Sequence, residues 1–470
     1  MRYSRVCLSG ILSLCATGCV LHEAEQAPPA LPAAFSAAPI SPGSSWPNKD
    51  WYDEFGSPEL KALIEQATGN NLDLGMARAR VMQADARARQ AGAAILPSID
   101  ATGNGNYLAG HSANGSAHET DWAALLSASY EVDFWGKNRA TARSAGRLAD
   151  ASRADRDTVA LTTLAGVAEG YIRILSLRDR LSTANSNLGA AQQLLDIIQA
   201  RFNVGLANPV ELAAQKAALA AAGLAVPELK QQEAEALAAL ALLLGRAPEQ
   251  FSVESQSLNS LLEPMIGSGL PSELLTRRPD IFMAEANMQA ANADLVAARA
   301  ALFPSLTLTA SGGVQNPALN AAIISLSGAG PTLNLGASLT QSIFDRGRLK
   351  ALRAEAQAKD EELMAAYRAA ILSALVDVEN ALSALNHLQE ARELQDENVL
   401  QSERAFEGAS LRYKAGSGDF LTALEAQRTL YAARDQYSQY KLARFQAFIA
   451  LFKALGGGWQ APKTAIKETR

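Results

Sequence analysis

The sequence predicts a mixed α and β membrane protein, in which strands from several copies of the chain close a β-barrel and long helices continue from the strands. Three observations predict this fold class. The segments RQAGAAILPSIDATGNGN, from Arg89, and VAARAALFPSLTLTASGG, from Val296, nearly repeat each other and indicate an internal duplication. Alternating apolar and polar residues follow in both copies and are typical of strands. Two stretches, 137–202 and 348–415, contain no proline and predict helices of roughly 100 Å.

The N-terminus predicts export and lipidation. Residues 1–18 have two cations, an apolar stretch and small residues at the end, which is the layout of a secretory signal peptide. The ATGC sequence ending at Cys19 resembles the bacterial lipoprotein box, so we expect an N-acyl and diacylglycerol lipid on Cys19 and no other cofactor. The residue directly after Cys19 is Val20, rather than the aspartate that typically retains lipoproteins at the inner membrane. A plain signal peptide cut nearby is the alternative, and residues 19–50 are expected to form a tether.

Each half of the chain predicts one β-hairpin. Apolar and small polar residues alternate at about 96–134 and again at about 304–344. Runs of about ten such residues suit tilted transmembrane strands, and lipid tolerates only closed barrels, because an open edge leaves backbone groups unpaired. Four strands are too few for a useful barrel, so three copies would supply twelve. A soluble sheet with one wet face has the same alternation and is the alternative.

The sequence predicts two long antiparallel helices in each half. The first repeat, 51–265, is expected to contain helices at 137–202 and 209–244, with apolar residues spaced by seven along the first. The second repeat, 266–456, is expected to contain helices at 348–415 and 419–455, before a C-terminal tail at 457–470. The turns RFNVGLANPVELAAQ and RYKAGSGDFLTALEAQ match, the second being one residue longer.

Composition and single residues argue against several functions. Net charge falls from −6 to −8 once the two signal arginines are removed, without a basic block, so nucleic acid is not an expected partner. No run of eighteen apolar residues follows the signal, and we expect no transmembrane helix. Of the four histidines, His111 and His118 share a polar loop without the spacing of a metal site. No nucleophile or phosphate motif is present, so we expect no enzyme.

Three longer segments carry a resemblance to a known family. They are WYDEFGSPELKALIEQA from Trp51, LPSELLTRRPDIFMAEANMQAANADLVAARAALFPSLTLTASGG from Leu270 and LTQSIFDRGRLKALRAEA from Leu339. They resemble the outer-membrane factors of tripartite efflux pumps, in the OprM- and NodT-like lipoprotein branch of the TolC superfamily. The resemblance implies a homotrimer in the outer membrane of a Gram-negative bacterium. Its fold would be a barrel of twelve strands over a periplasmic helical tunnel, with a periplasmic adaptor protein and an inner-membrane transporter as partners.

The resemblance also implies functional residues at the turns between the long helices. The turns that would dock the adaptor are Val204-Gly205-Leu206 and Ala415-Gly416-Ser417. Glycine alone explains a tight reversal, so a structural role for these residues stays open.

The periplasmic gate is expected just inside these turns. Thr422 and Glu425 occupy positions where the family narrows the tunnel with acidic residues, one helical turn apart. Tyr413 and Glu211 match a family hydrogen bond that ties the inner hairpin shut, and Gly418 replaces a basic partner. Ordinary solvated surface is the alternative for each.

The expected function is a passive exit duct for small toxic compounds or drugs across the periplasm and outer membrane. Two alternatives stay open from the sequence. One is a structural trimeric coiled-coil lipoprotein that bridges envelope layers. The other is the outer-membrane component of a type I protein secretion system.

Overall fold

The computed structural model describes residues 47–112, 115–264, 273–315 and 330–461, with residues 32, 35 and 36. The predicted signal peptide and the lipidation site at Cys19 lie outside the described residues. The chain divides into two compact units. The strand unit is drawn from 80–153 and 283–368, and the hairpin unit from 29–79, 154–282 and 369–470. Neither unit follows one sequence repeat, because each takes segments from both.

The strand unit holds one antiparallel sheet. Its strands are β1 (Ser98–Ser112), β2 (Gly115–Val132), β3 (Ser305–Gln315) and β4 (Gly330–Thr340), in the order β1-β2-β3-β4. Within the described part of the chain, β1 and β4 therefore each pair along one side only. Their outer edges carry backbone groups without a strand partner.

The register separates the sheet into an apolar and a polar face. Residues directly opposite one another across neighbouring strands point to the same side. One row at mid-strand consists of Ala101, Leu126, Gly312 and Leu333. The next row consists of Asp100, Ser127, Ser311 and Asn334. This register agrees with the alternation predicted from sequence, and both repeats contribute to the same two faces.

The points where strands meet helices are fixed by side chains. The Trp135 ring stacks on Phe303 with centroids 4.6 Å apart, and its Nε1 donates to the carbonyl of Pro304 at 2.8 Å. Asp133 accepts hydrogen bonds from the backbone amides of two residues in the following helix. Asp345 accepts from the amides of Gly347 and Leu349 in the same way. Both carboxylates satisfy helix N-terminal donors and complement the helix dipole.

The helices in chain order are α1 (Pro58–Asn70), α2 (Leu72–Ala93), α3 (Lys137–Asn203), α4 (Pro209–Leu243), α5 (Leu274–Arg277), α6 (Pro279–Ala300), α7 (Arg348–Lys414) and α8 (Phe420–Ala454). The repeat is nearly exact in helix length. Helices α3 and α7 each have 67 residues and start 211 residues apart, at 137 and 348. Helices α4 and α8 each have 35 residues and also start 211 apart, at 209 and 420.

The expectation that the second turn is one residue longer is wrong. Residues 204–208 join α3 to α4, and residues 415–419 join α7 to α8, so the turns are equal. The extra residue lies inside the helix. Gln215 is the seventh residue of α4, whereas Gln427 is the eighth of α8. A helix accommodates one extra residue by rotating the side chains that follow it about the helix axis. Sequence alignment alone does not distinguish an extra residue in the helix from one in the turn.

Aromatic residues form the main core of the hairpin unit. Trp51 stacks on Phe452 at 4.7 Å, and Phe55 contacts both Phe445 and Phe452. The buried guanidinium of Arg278 bonds Asp280 and Asp377 and donates to the carbonyl of a residue near the end of α8. Because a buried cation is stable only when it is paired, this network holds α6, α7 and α8 in one arrangement.

In the described part of the chain, one helix, α3, is long and apolar enough to cross a membrane by length and composition. Length and composition alone do not make α3 a transmembrane helix, so the expectation of none stays a prediction. Its most apolar stretch is 44% buried inside the protein, and Tyr171, Ile172 and Leu175 are fully buried. The core helix of a soluble protein passes the same test.

Candidate functional site at the helical turns

Both turns between paired helices use the same backbone geometry. Gly205 and Gly416 each have φ of 78°. The amide of Leu206 donates to the carbonyl of Arg201 at 2.8 Å, and the amide of Ser417 donates to that of Arg412 at 2.9 Å. These bonds close a Schellman motif, in which a left-handed residue ends the helix. Glycine is favoured at these two positions because it adopts positive φ without steric cost.

The predicted docking residues lie at the ends of the two turns. Val204 and Leu206 are 69% and 68% exposed. Ala415, Gly416 and Ser417 are exposed as well. The first turn therefore presents apolar side chains, and the second presents small ones, on the same backbone.

The helix after each turn begins with a side-chain cap. Asn208 accepts from the amide of Glu211 at 2.9 Å, and Asp419 accepts from the amide of Thr422 at 2.8 Å. The Thr422 hydroxyl also donates to Asp419 at 2.6 Å. These bonds from Thr422 hold the pKa of Asp419 below its usual value. The Thr422 hydroxyl is thus engaged within its own turn.

Tyr413 and Glu211 are brought together from different repeats. The Tyr413 hydroxyl donates to Glu211 Oε2 at 3.1 Å, and Asn208 Nδ2 donates to Glu211 Oε1 at 3.1 Å. Tyr413 is only 3% exposed. Burial, followed by the hydrogen bond to the Glu211 carboxylate, raises the pKa of Tyr413 to about 12. The hydroxyl therefore stays protonated and remains a donor at neutral pH.

Sequence reasoning missed Arg201, which completes this contact. Its Nη1 donates to the Tyr413 carbonyl at 2.7 Å, and its guanidinium carbon lies 4.7 Å from the centre of the Tyr413 ring. The cation therefore caps the end of α7 and covers the aromatic face. The signal available in the sequence was the arginine before the aromatic residue in both turns, RF at Arg201 and RY at Arg412.

An apolar cluster, the tip core, lies beneath these polar contacts. It joins the two helical hairpins, which are the helix pairs α3–α4 and α7–α8. Its buried members are Leu194, Ile198, Leu212, Tyr413, Phe420, Ala423 and Leu424. All four long helices contribute to it. Burial of apolar surface contributes about 25 cal/mol per Å², so this cluster is the main attraction between the hairpins at the turns. The polar contacts then set their alignment.

The other positions predicted for the gate are Thr422, Glu425 and Gly418. Thr422 and Glu425 line one shallow groove of about 520 Å³ with neighbouring residues of α7 and α8. The Glu425 carboxylate is exposed and makes no bond within the described residues. At Gly418, a Cβ atom would lie 3.0 Å from Arg412 Cβ and 3.1 Å from the Tyr413 amide. Close packing therefore accounts for glycine where the family resemblance implies a basic residue.

Metal-ligating side chains do not cluster in the described residues. No group of three or more His, Cys, Asp or Glu is placed there to hold a metal ion. The side chains of His111 and His118 lie outside the described set.

Comparison with known proteins assigns the chain to a family. The sequence model described as outer membrane efflux protein matches residues 63–246 and 270–457. The chain is 44% identical over 427 residues to the pyoverdine export outer membrane protein OpmQ of Pseudomonas aeruginosa, covering 89% of each chain. It is 43% identical over 440 residues to OpmQ of Pseudomonas putida, covering 92% of each.

Among solved structures, the outer-membrane channel OprN superposes with a TM-score of 0.85 at 27% identity, covering 94% of this chain and 100% of that one. The predicted TolC-like fold class is confirmed. Members of this family are channel proteins. The chain therefore belongs to the outer membrane efflux protein family, and it is an outer-membrane channel component of an efflux pump.

Proposed function

We propose that three copies of the chain form one continuous passive duct through the outer membrane and periplasm. The two-faced sheet carries this proposal. One face is apolar and suits lipid, the other is polar and suits a water-filled lumen, and each outer edge lacks a strand partner in the described residues. A membrane requires that every backbone group be paired, so β4 of one copy must pair with β1 of the next. Three copies give an even-numbered barrel wide enough for a lumen.

Exposed apolar residues on a long helix support the same assembly. Helix α7 leaves Leu372, Val376, Leu394 and Leu411 more than half exposed. A single soluble chain rarely exposes so many large apolar side chains along one helix, whereas neighbouring helices of other copies would cover them. The β-barrel and the ring of helices would then close in the same assembly.

The duct acts by gating and carries out no reaction. In the closed state, the Tyr413 to Glu211 bond and the tip core hold each chain's two hairpins together. Three exposed Glu425 carboxylates near the axis would attract cations at the constriction. Opening requires the helical hairpins α3–α4 and α7–α8 to separate. A ligand drives this change only if it binds the open form more tightly than the closed form. The exposed turns at Val204 to Leu206 and Ala415 to Ser417 are the proposed docking surface for a periplasmic adaptor, which links the duct to an inner-membrane transporter.

Cys19 is the proposed lipid anchor, and no cofactor is needed for a passive duct. Its support is the ATGC sequence. Metabolic acyl labelling of the parent and of Cys19→Ser tests this directly. We expect the label in the parent and its loss in the variant. An unmodified mature N-terminus in the parent, measured by mass spectrometry, would contradict the assignment.

The proposed cargo is pyoverdine or a compound of its chemical class. The two relatives at 44% and 43% identity are both named for pyoverdine export, and this favours a secreted metabolite over toxic compounds or drugs. Deletion of the gene should lower such a compound in the medium and raise it in the periplasm. Unchanged secretion with increased drug sensitivity would favour the drug cargo.

The decisive test of the duct is ion conduction. Purified protein should be a trimer by native mass spectrometry and should conduct ions in a planar lipid bilayer. A structural lipoprotein that only bridges envelope layers would form trimers without conduction. Glu425→Ala should mainly reduce the preference for cations, with Glu397→Ala, on the neighbouring helix α7, as the control for loss of one exposed carboxylate.

A further inference from the structure

The 211-residue repeat relates every element of the two turns. Arg201 corresponds to Arg412, and Phe202 corresponds to Tyr413. The same separation relates both left-handed glycines and both capping residues. In the proposed trimer, the second repeat of one copy lies next to the first repeat of the following copy. A contact between the first and second repeats of one chain therefore has a counterpart between the second repeat of that chain and the first repeat of its neighbour.

The contact within one chain supplies the template. Arg201 lies over the ring of Tyr413, and its Nη1 bonds the carbonyl of the same residue. Under the repeat relation, Arg201 becomes Arg412, and Tyr413 becomes Phe202 of the partner subunit. The aromatic ring and the backbone carbonyl that the guanidinium uses are both retained in this exchange.

Both counterpart residues are unsatisfied in the single chain. Arg412 is exposed, and its guanidinium makes no hydrogen bond or ion pair within the described residues. Phe202 packs against the tip core and is half-buried, whereas Tyr413 is buried in the equivalent place. An exposed cation and a partly exposed aromatic ring are the two halves of a cation–π contact.

We propose that Arg412 binds over the ring of Phe202 of the partner subunit and bonds the carbonyl of that residue, forming a boundary latch between neighbouring copies at the periplasmic turns. The latch rests on the trimer proposed above. It adds three contacts between chains to the three contacts within chains, so the closed ring is held at six places.

The boundary latch differs in strength from the contact within a chain. At the positions equivalent to the Tyr413 hydroxyl and the Glu211 carboxylate stand Phe202 and Thr422, which cannot form that hydrogen bond. The tip-core residues Leu194 and Ile198 correspond to Ala405 and Ala409. The contact between copies therefore has less buried apolar area and no hydroxyl to carboxylate bond. For this reason it depends on Arg412 much more than the contact within one chain depends on Arg201.

Crosslinking tests the position of the latch in the full-length protein. Arg412→Cys with Phe202→Cys, treated with a short thiol-reactive crosslinker, should give covalent dimers and trimers on a denaturing gel. Arg201→Cys with Tyr413→Cys should give crosslinks within one chain and no larger species. The four single-cysteine variants control for reaction through Cys19. Native trimers without covalent dimers would overturn the latch, whereas absence of native trimers would overturn the proposed assembly itself.

Conductance tests what the latch does. Loss of three cation–π contacts at once should raise the open-to-closed ratio by about tenfold in Arg412→Gln and in Phe202→Leu. Arg412→Lys retains the charge and Phe202→Tyr retains the ring, so both should stay near the parent. Equal conductance in Arg412→Gln, Arg412→Lys and the parent, measured on confirmed trimers, would contradict the latch.

Discussion

The two repeats share a backbone and differ in chemistry. The helices of each hairpin have the same lengths, 67 and 35 residues, and the turns have the same φ of 78° at Gly205 and Gly416. The side chains on this frame differ. The first turn carries Glu211 and Leu206, and the second carries Thr422 and Ser417 at the equivalent positions.

The difference shows which features the frame requires and which are free to change. Positive φ and a capping side chain occur in both turns, because each satisfies backbone groups at a helix end. The hydroxyl of Tyr413 and the carboxylate of Glu211 occur once each. A duplicated backbone can therefore form a specific hydrogen bond where the two repeats meet within a chain. The equivalent contact between neighbouring copies is free to use other side chains.

The largest expected effect tests whether the two repeats share a lipid face. Leu126→Arg and Leu333→Arg each place a charge on the apolar row at mid-strand, which should cost about 2–4 kcal/mol at the bilayer midplane. The matched controls Ser127→Arg and Asn334→Arg lie in the polar row and should leave assembly intact. Heat-stable trimers measured on gels decide this. Loss in Leu126→Arg with no loss in Leu333→Arg would mean that the second hairpin does not face lipid.

The second prediction concerns the bond present only within a chain. Tyr413→Phe with Glu211→Gln removes a hydrogen bond to a charged group, worth about 1.5–3 kcal/mol per chain, and should raise single-channel conductance. The reverse change, Phe202→Tyr with Thr422→Glu, should install the same pair at the boundary and lower conductance. If both double variants conduct like the parent, the gate does not lie at these residues.

The third prediction concerns the feature common to both turns. Gly205→Ala and Gly416→Ala each force a side chain into the left-handed region, which costs roughly 1–2 kcal/mol. An added Cβ meets nothing within 4 Å at Gly205, and only the end of the Arg201 side chain at 3.8 Å at Gly416. Thermal unfolding should therefore shift by the same amount in both variants. A clearly larger loss at one turn would show that the backbones are not equivalent in the assembled protein.

The smallest effect concerns pH. The pKa of Tyr413 is raised to about 12, so its bond to Glu211 favours the closed form fully below the ordinary tyrosine pKa of about 10 and is lost as pH rises through about 12. Conductance measured from pH 7 to 11 should stay level to about pH 10 and then begin to rise. Tyr413→Phe should lack that rise. The same alkaline rise in both proteins would assign it to another group.

The sequence predicted the helices, strands and turns because their signals are local. Proline-free stretches with regular apolar spacing give helices, and strict alternation gives strands. The pairing of Tyr413 with Glu211 came from family resemblance, since the residues are 202 apart in the chain. Periodicity alone places each on a helix and says nothing about which helix faces which.

Tertiary structure alone decided several features of the candidate site. It showed that Arg201 covers Tyr413, that the Thr422 hydroxyl is engaged by Asp419, and that a side chain at Gly418 would crowd Arg412 and Tyr413. It also placed the extra residue of the second repeat inside α8 rather than in the turn. These features depend on how far each helix is rotated about its axis and on which side chains then come within a few ångströms. Backbone propensity fixes neither, because contacts between segments far apart in the chain arise only when the whole chain packs.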